Sequence, residues 1–89
     1  MKIVVNNCHT GFSLSEKAYK ELRLEWDGYG FFDGSRNDPK LVEIVEKLGN
    51  KANGEFSDLK VVEIPDGINW HIEEYDGIEW IAEDHRTWR

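Results

Sequence analysis

The sequence predicts an α+β domain: a four-stranded, mainly antiparallel sheet with two helices on one face, in the order β-α-α-β-β-β. Three observations predict it. A β-branched run, Ile3-Val4-Val5, opens the chain, and two stretches carry apolar residues at helical spacing. The last third alternates apolar and polar residues on either side of Asp76-Gly77, a favoured two-residue hairpin turn. Eighty-nine residues hold one core, so residues 1–89 read as a single domain.

Lys2 to Asn6 is the first strand, and because both of its faces are apolar it is expected inside the sheet. Asn7 to Phe12 breaks the pattern with small polar residues and Gly11. Ser13-Leu14-Ser15-Glu16 has capping-box spacing, with the Ser13 hydroxyl accepting from the third amide onward and Glu16 reaching back. Leu14, Ala18, Leu22 and Trp26 then recur every four residues, predicting a helix over about Ser15 to Trp26. Asp27 to Asn37, with three glycines and three aromatics and no period, is a loop. Asp38-Pro39 starts the second helix with a carboxylate cap and a proline whose missing N–H costs nothing there. Its stripe is Leu41, Val42, Ile44, Val45 and Leu48, and Gly49 stands where a helix commonly ends. Leu59 to Ile64 is a strand, followed by a turn at Pro65-Asp66-Gly67. In the hairpin, Ile68, Trp70 and Ile72 alternate with Asn69, His71 and Glu73. Ile78, Trp80 and Ala82 alternate with Glu79, Ile81 and Glu83, so the first set is expected inward.

Eleven basic against 18 acidic side chains give a net charge of −7 and a pI near 4.8. Duplex DNA is therefore not an expected partner, since that grip depends on Lys and Arg. Four Trp, 3 Tyr and 4 Phe argue against disorder. A single cysteine, Cys8, excludes an intrachain disulfide framework. No apolar run has the roughly 18 residues of a membrane span, and Met-Lys-Ile-Val-Val is too brief for a signal peptide. The expectation is a cytoplasmic protein that leaves the membrane alone. Its small core and many aromatics point to a homo-oligomer.

A strand that ends in polar residues and a glycine before a capped helix is a candidate anion site. Unpaired N–H groups and the helix dipole both favour negative charge there. Asn7, Thr10, Gly11, Ser13 and Ser15 are the candidate contacts; the plainer reading is that Ser13 caps the helix and Gly11 makes the turn. The tail, His85-Arg86-Thr87-Trp88-Arg89, reverses the sign of the charge. Arg86 and Trp88 can stack on a base and pair with phosphate, anchor a protein interface, or belong to a frayed end. Arg36, set among Tyr29, Phe31 and Phe32, is the other basic-aromatic candidate.

Catalysis is not expected. Adjacent Cys8 and His9 rarely share a proton, and an acidic chain does not favour a thiolate. Glu73 and Glu74 are strand neighbours on opposite sides. His9, His71 and His85 lack metal-ligand spacing, so no metal or other cofactor is expected. From Val61 to Arg89, eight acids (Glu63, Asp66, Glu73, Glu74, Asp76, Glu79, Glu83, Asp84) stand against two arginines. That is either a solvated sheet face or a surface for a basic partner.

Three stretches carry a resemblance: the opening Met-Lys-Ile-Val-Val-Asn-Asn-Cys-His-Thr-Gly-Phe-Ser-Leu-Ser, the Asn-Asp-Pro-Lys-Leu-Val segment running to Gly54, and the ending from Leu59 through Glu-Tyr-Asp-Gly-Ile-Glu-Trp to His-Arg-Thr-Trp. Together they resemble an uncharacterised family of small phage and prophage proteins. Thr10 departs from it, standing where that family carries a second glycine, and the loop from Asp27 to Arg36 matches it least. The resemblance implies a bacterial host cell and a protein that acts by binding. The function expected first is a non-catalytic accessory, counter-defence protein that sequesters a small anionic ligand such as a nucleotide immune signal. The alternative is an acidic inhibitor that binds a basic host protein such as a nuclease.

Overall fold

The computed structural model describes residues 1–9, 11–32, 34–55 and 57–83. Strand β1 (Lys2–Asn6) pairs antiparallel with β2 (Leu59–Glu63), Val4 facing Val61. The ladder continues at both ends, where the Ile64 amide donates to the Met1 carbonyl and the Asn7 amide to that of Asp58. Between these strands the chain forms α1 (Glu16–Glu21), α2 (Pro39–Leu48) and a 3₁₀ turn (Gly49–Ala52). After β2 comes the hairpin of β3 (Trp70–Tyr75) and β4 (Ile78–Glu83). Asp76 and Gly77 both have positive φ, as a tight hairpin turn of this kind requires.

The fold is α+β; among the described residues there are two α-helices and four strands, but the strands make two antiparallel pairs, β1–β2 and β3–β4, rather than one four-stranded sheet. Strand β1 is buried on both faces, as its β-branched run implies, yet among the described residues β2 is its one ladder partner. Its outer edge is met instead by one loop carbonyl and one carboxylate side chain. The Val4 amide donates to the Arg36 carbonyl at 2.9 Å, and the Asn6 amide donates to Glu79 Oε1 at 2.9 Å. Periodicity gives the apolar faces of a strand but not who satisfies its outer edge.

Helix α2 packs against β1 and β2, while α1 packs on α2 and the 3₁₀ turn. Val4, Leu14, Ala18, Leu41, Ile44, Val45, Ala52 and Leu59 form the core between them. Asp38 caps α2 as its sequence predicts, its carboxylate accepting from the Lys40 amide, and Gly49 ends it.

Helix α1 is shorter than its apolar spacing predicts. It begins after Ser15, whose hydroxyl accepts from the Ala18 amide, so Ser15 and not Ser13 is the cap. Residues 13 and 14 are held extended instead. Leu14 bridges to Asn53 and donates to the Gly30 carbonyl, and the Ser13 carbonyl accepts from the Gly54 amide and the Ser57 hydroxyl. The helix stops at Glu21 because Arg23 turns left-handed (φ 62°). The Arg23 amide reaches the Lys20 carbonyl and the Leu24 amide that of Tyr19, the paired bonds of a Schellman ending. Trp26 therefore lies beyond the helix, its ring edge-on to Tyr19 at 5.0 Å.

Candidate functional site

The segment expected to cradle an anion is filled by the protein itself. The Leu14 amide serves Gly30, the Ser15 amide serves the Ala52 carbonyl, and the Ser15 hydroxyl also donates to the Lys51 carbonyl. At Gly11 the amide points to the Cys8 carbonyl at 3.4 Å. The tip of the hairpin closes over the same backbone: a Cβ at Gly77 would stand 2.2 Å from the His9 oxygen and 2.6 Å from the Gly11 nitrogen. Asn7 is exposed, with its amide in the β1–β2 ladder. Ser13 is half-buried against Gly54. Helix α1, at six residues, is a weak source of dipole. Thr10, Arg86 and Trp88 lie outside the described residues.

Asn6 fixes the hairpin to the body. Fully buried, it donates through Nδ2 to the Cys8 and Gly77 carbonyls, both at 2.8 Å, and accepts at Oδ1 from the Asp58 amide. Beside it, Arg36 grips Glu79 with two parallel hydrogen bonds of 2.6 and 2.9 Å. The guanidinium also lies 3.6 Å over the centre of the Phe12 ring. Arg36, a candidate ligand contact by sequence, is thus engaged on its face by an aromatic ring and on its edge by a carboxylate.

The same pair inverts the expected phase of β4. Glu79 is 9% exposed and faces the body, whereas Trp80 is 43% exposed. The apolar run Trp80-Ile81-Ala82 is compatible with either face, and the charged partner across the fold sets the phase. Glu79 accordingly leaves the set of solvated acids, in which Glu73 and Glu74 remain. His9 turns toward Asp76, with Nδ1 and Oδ2 3.5 Å apart. Among the described residues no three metal-ligating side chains come together, and no helix is long and apolar enough to cross a membrane.

Exposed aromatic residues also stand in the segment between α1 and α2. Tyr29 and Phe31 stack on each other at 5.7 Å while remaining 73% and 64% exposed. Leu24 and Trp26, earlier in the same segment, are exposed as well. Large aromatic surface left in water is uncommon without a partner. The loop that presents it is built, not slack. Asp27 Oδ1 accepts from the Tyr29 and Gly30 amides, both at 2.7 Å, and Oδ2 from the Tyr19 hydroxyl at 3.2 Å. The Gly30 amide, then that of Tyr29, hold the Asp27 carboxyl below its ordinary pKa, so it stays charged. Gly30 (φ 87°) has no substitute, since a Cβ there would sit 2.2 Å from the Leu14 oxygen.

Next to this patch a cavity of about 480 Å³ opens between Tyr19, Phe31 and Phe32, with Glu25, Asp27 and Asp38 around it. Its walls are aromatic and its charge is wholly negative. The sequence marked Tyr29, Phe31 and Phe32 but missed Leu24, Glu25, Trp26 and Asp27. The available signal was their apolar-acid-apolar-acid alternation, which the helical spacing through Trp26 masked. Compared with protein-family models, curated proteins and solved structures, the chain matches none.

Proposed function

We propose that this is a non-catalytic binding protein that docks on a basic partner protein, the setting being the phage-type one that the sequence resemblance implies. The exposed Tyr29–Phe31 stack beside Glu25 and Asp27 carries this reading. Protein interfaces favour aromatic anchors at their centre, and complementary charge steers the encounter. A net charge of −7 suits a cationic partner and disfavours an anionic one. The anionic-ligand reading has less to stand on, because its amides at Leu14 and Ser15 are paired within the chain.

Capture from a bacterial lysate tests the proposal, comparing the native chain with a Tyr29→Ala/Phe31→Ala variant at low salt and at about 0.5 M salt. The expected result is a basic protein retained by the native chain, lost with the double variant and weakened by salt. A retained set that the double variant leaves unchanged overturns the reading.

A further inference from the structure

The cavity beside the aromatic stack has a more specific chemistry than general attraction to cations. Its volume of about 480 Å³ falls within the range of ligand clefts, about 300–1,000 Å³. Phe31, largely exposed, and the half-buried Phe32 offer ring surface beside the buried Tyr19, and Glu25, Asp27 and Asp38 offer carboxylates, with no basic residue among the described lining residues. Two of those carboxylates are positioned by the fold. Asp27 is held by the Tyr29 and Gly30 amides, and Asp38 by the Lys40 amide. Glu25 is exposed and has no ion-pair partner among the described residues.

We propose that this cavity receives an arginine side chain of the basic partner. The inference rests on the protein-docking reading above and names its anchor. A guanidinium is flat, weakly hydrated and always charged, so its face stacks on an aromatic ring while its edge meets a carboxylate. An ammonium is a compact, strongly hydrated point charge that gains less from flat walls. The protein already displays the arrangement within itself, where Arg36 stacks on Phe12 and pairs edge-on with Glu79. The cavity supplies the same two elements, ring and carboxylate, without the cation.

Three nonapeptides on a Gly-Ser background, carrying three arginines, three lysines or three citrullines, test this with the full chain. Affinity is read by anisotropy and the contact site by amide chemical shifts. The arginine peptide is expected to bind about tenfold tighter than the lysine peptide and to move the amides of residues 24–31. Citrulline, equal in shape but neutral, should not bind measurably. Glu25→Gln, which disturbs no cap or turn, should weaken the arginine peptide several-fold, whereas Glu73→Gln on the hairpin should not. Equal binding of arginine and lysine peptides with shifts confined to 24–31 overturns the arginine assignment and leaves the docking reading standing. Equal loss from Glu25→Gln and Glu73→Gln also overturns the assignment, reducing the effect to net charge. Shifts elsewhere, or no binding by any peptide, overturn both.

Discussion

Arg36 and Glu79 meet side-on, Nη1 to Oε1 and Nη2 to Oε2, although 43 residues separate them in the chain. The pair joins the loop before α2 to the hairpin, and the same Glu79 oxygen that takes Nη1 also takes the Asn6 amide. No buried side-chain polar atom among the described residues lacks a partner, so the network is closed.

Removing one member of such a pair leaves the other desolvated and uncompensated. Glu79→Ala is therefore expected to destabilise the protein by about 3 kcal/mol, a large share of the roughly 4–13 kcal/mol a chain of this size has. Glu79→Gln keeps an acceptor for the Asn6 amide and should lose less. Urea denaturation of both variants checks the order; equal losses would show that the retained acceptor contributes nothing and that the whole effect is loss of the charge pair with Arg36.

Two glycines of similar conformation separate strain from crowding. Gly67 (φ 83°) has open space where a Cβ would go, and Gly77 (φ 91°) has the His9 carbonyl 2.2 Å away. Gly67→Ala should cost about 1 kcal/mol from its left-handed backbone alone. Gly77→Ala should cost clearly more, because backbone cannot give way as a flexible side chain does, and should loosen the hairpin from residues 9–11. Thermal melts and amide exchange at Asn6 read both effects. Equal costs would mean the tip does not bear on that loop.

Arg23 holds a left-handed position that glycine occupies without penalty. Arg23→Gly is expected to raise stability by about 0.5–1 kcal/mol, a gain readable as a shift in the denaturation midpoint. A loss instead would show that the arginine side chain contributes through packing.

Asp27 gives a pH signature. Its folded pKa lies below its ordinary value, through hydrogen bonds from Gly30 and Tyr29. The stabilising contribution is then fully present above the unfolded pKa, near ~4, and disappears as pH falls through the folded value. The Tyr29 and Gly30 amide resonances should titrate together with a midpoint below ~4. A midpoint at or above that value would contradict the turn as described. Asp27→Asn should abolish the transition.

Much of the architecture was legible in the residues because local rules governed it. The run Ile3-Val4-Val5, the Asp38-Pro39 start and the Asp76-Gly77 turn each carry their own conformational instruction, and β1, α2 and the hairpin follow them. What failed depended on distant partners. Leu22 and Trp26 keep helical spacing past a helix that Arg23 has already turned aside, and Ser13 looks like a cap until Gly54 and Ser57 claim its carbonyl. Glu79 reads as a surface acid until Arg36 is placed opposite. The cavity at Glu25, Asp27 and Asp38 joins residues on either side of a glycine-rich loop, and no period in the sequence announces that meeting.

The outer edge of β1 carries one further consequence. Where a third strand would dock, an arginine backbone carbonyl and a glutamate carboxylate already occupy the Val4 and Asn6 amides. A foreign polypeptide seeking to extend the sheet there would have to displace that carbonyl and a carboxylate held by the Arg36 guanidinium. The two amides that a neighbouring ribbon would need are thus already engaged, one by a neutral peptide oxygen and one by an ion-paired carboxylate, in place of the more familiar rigid obstruction.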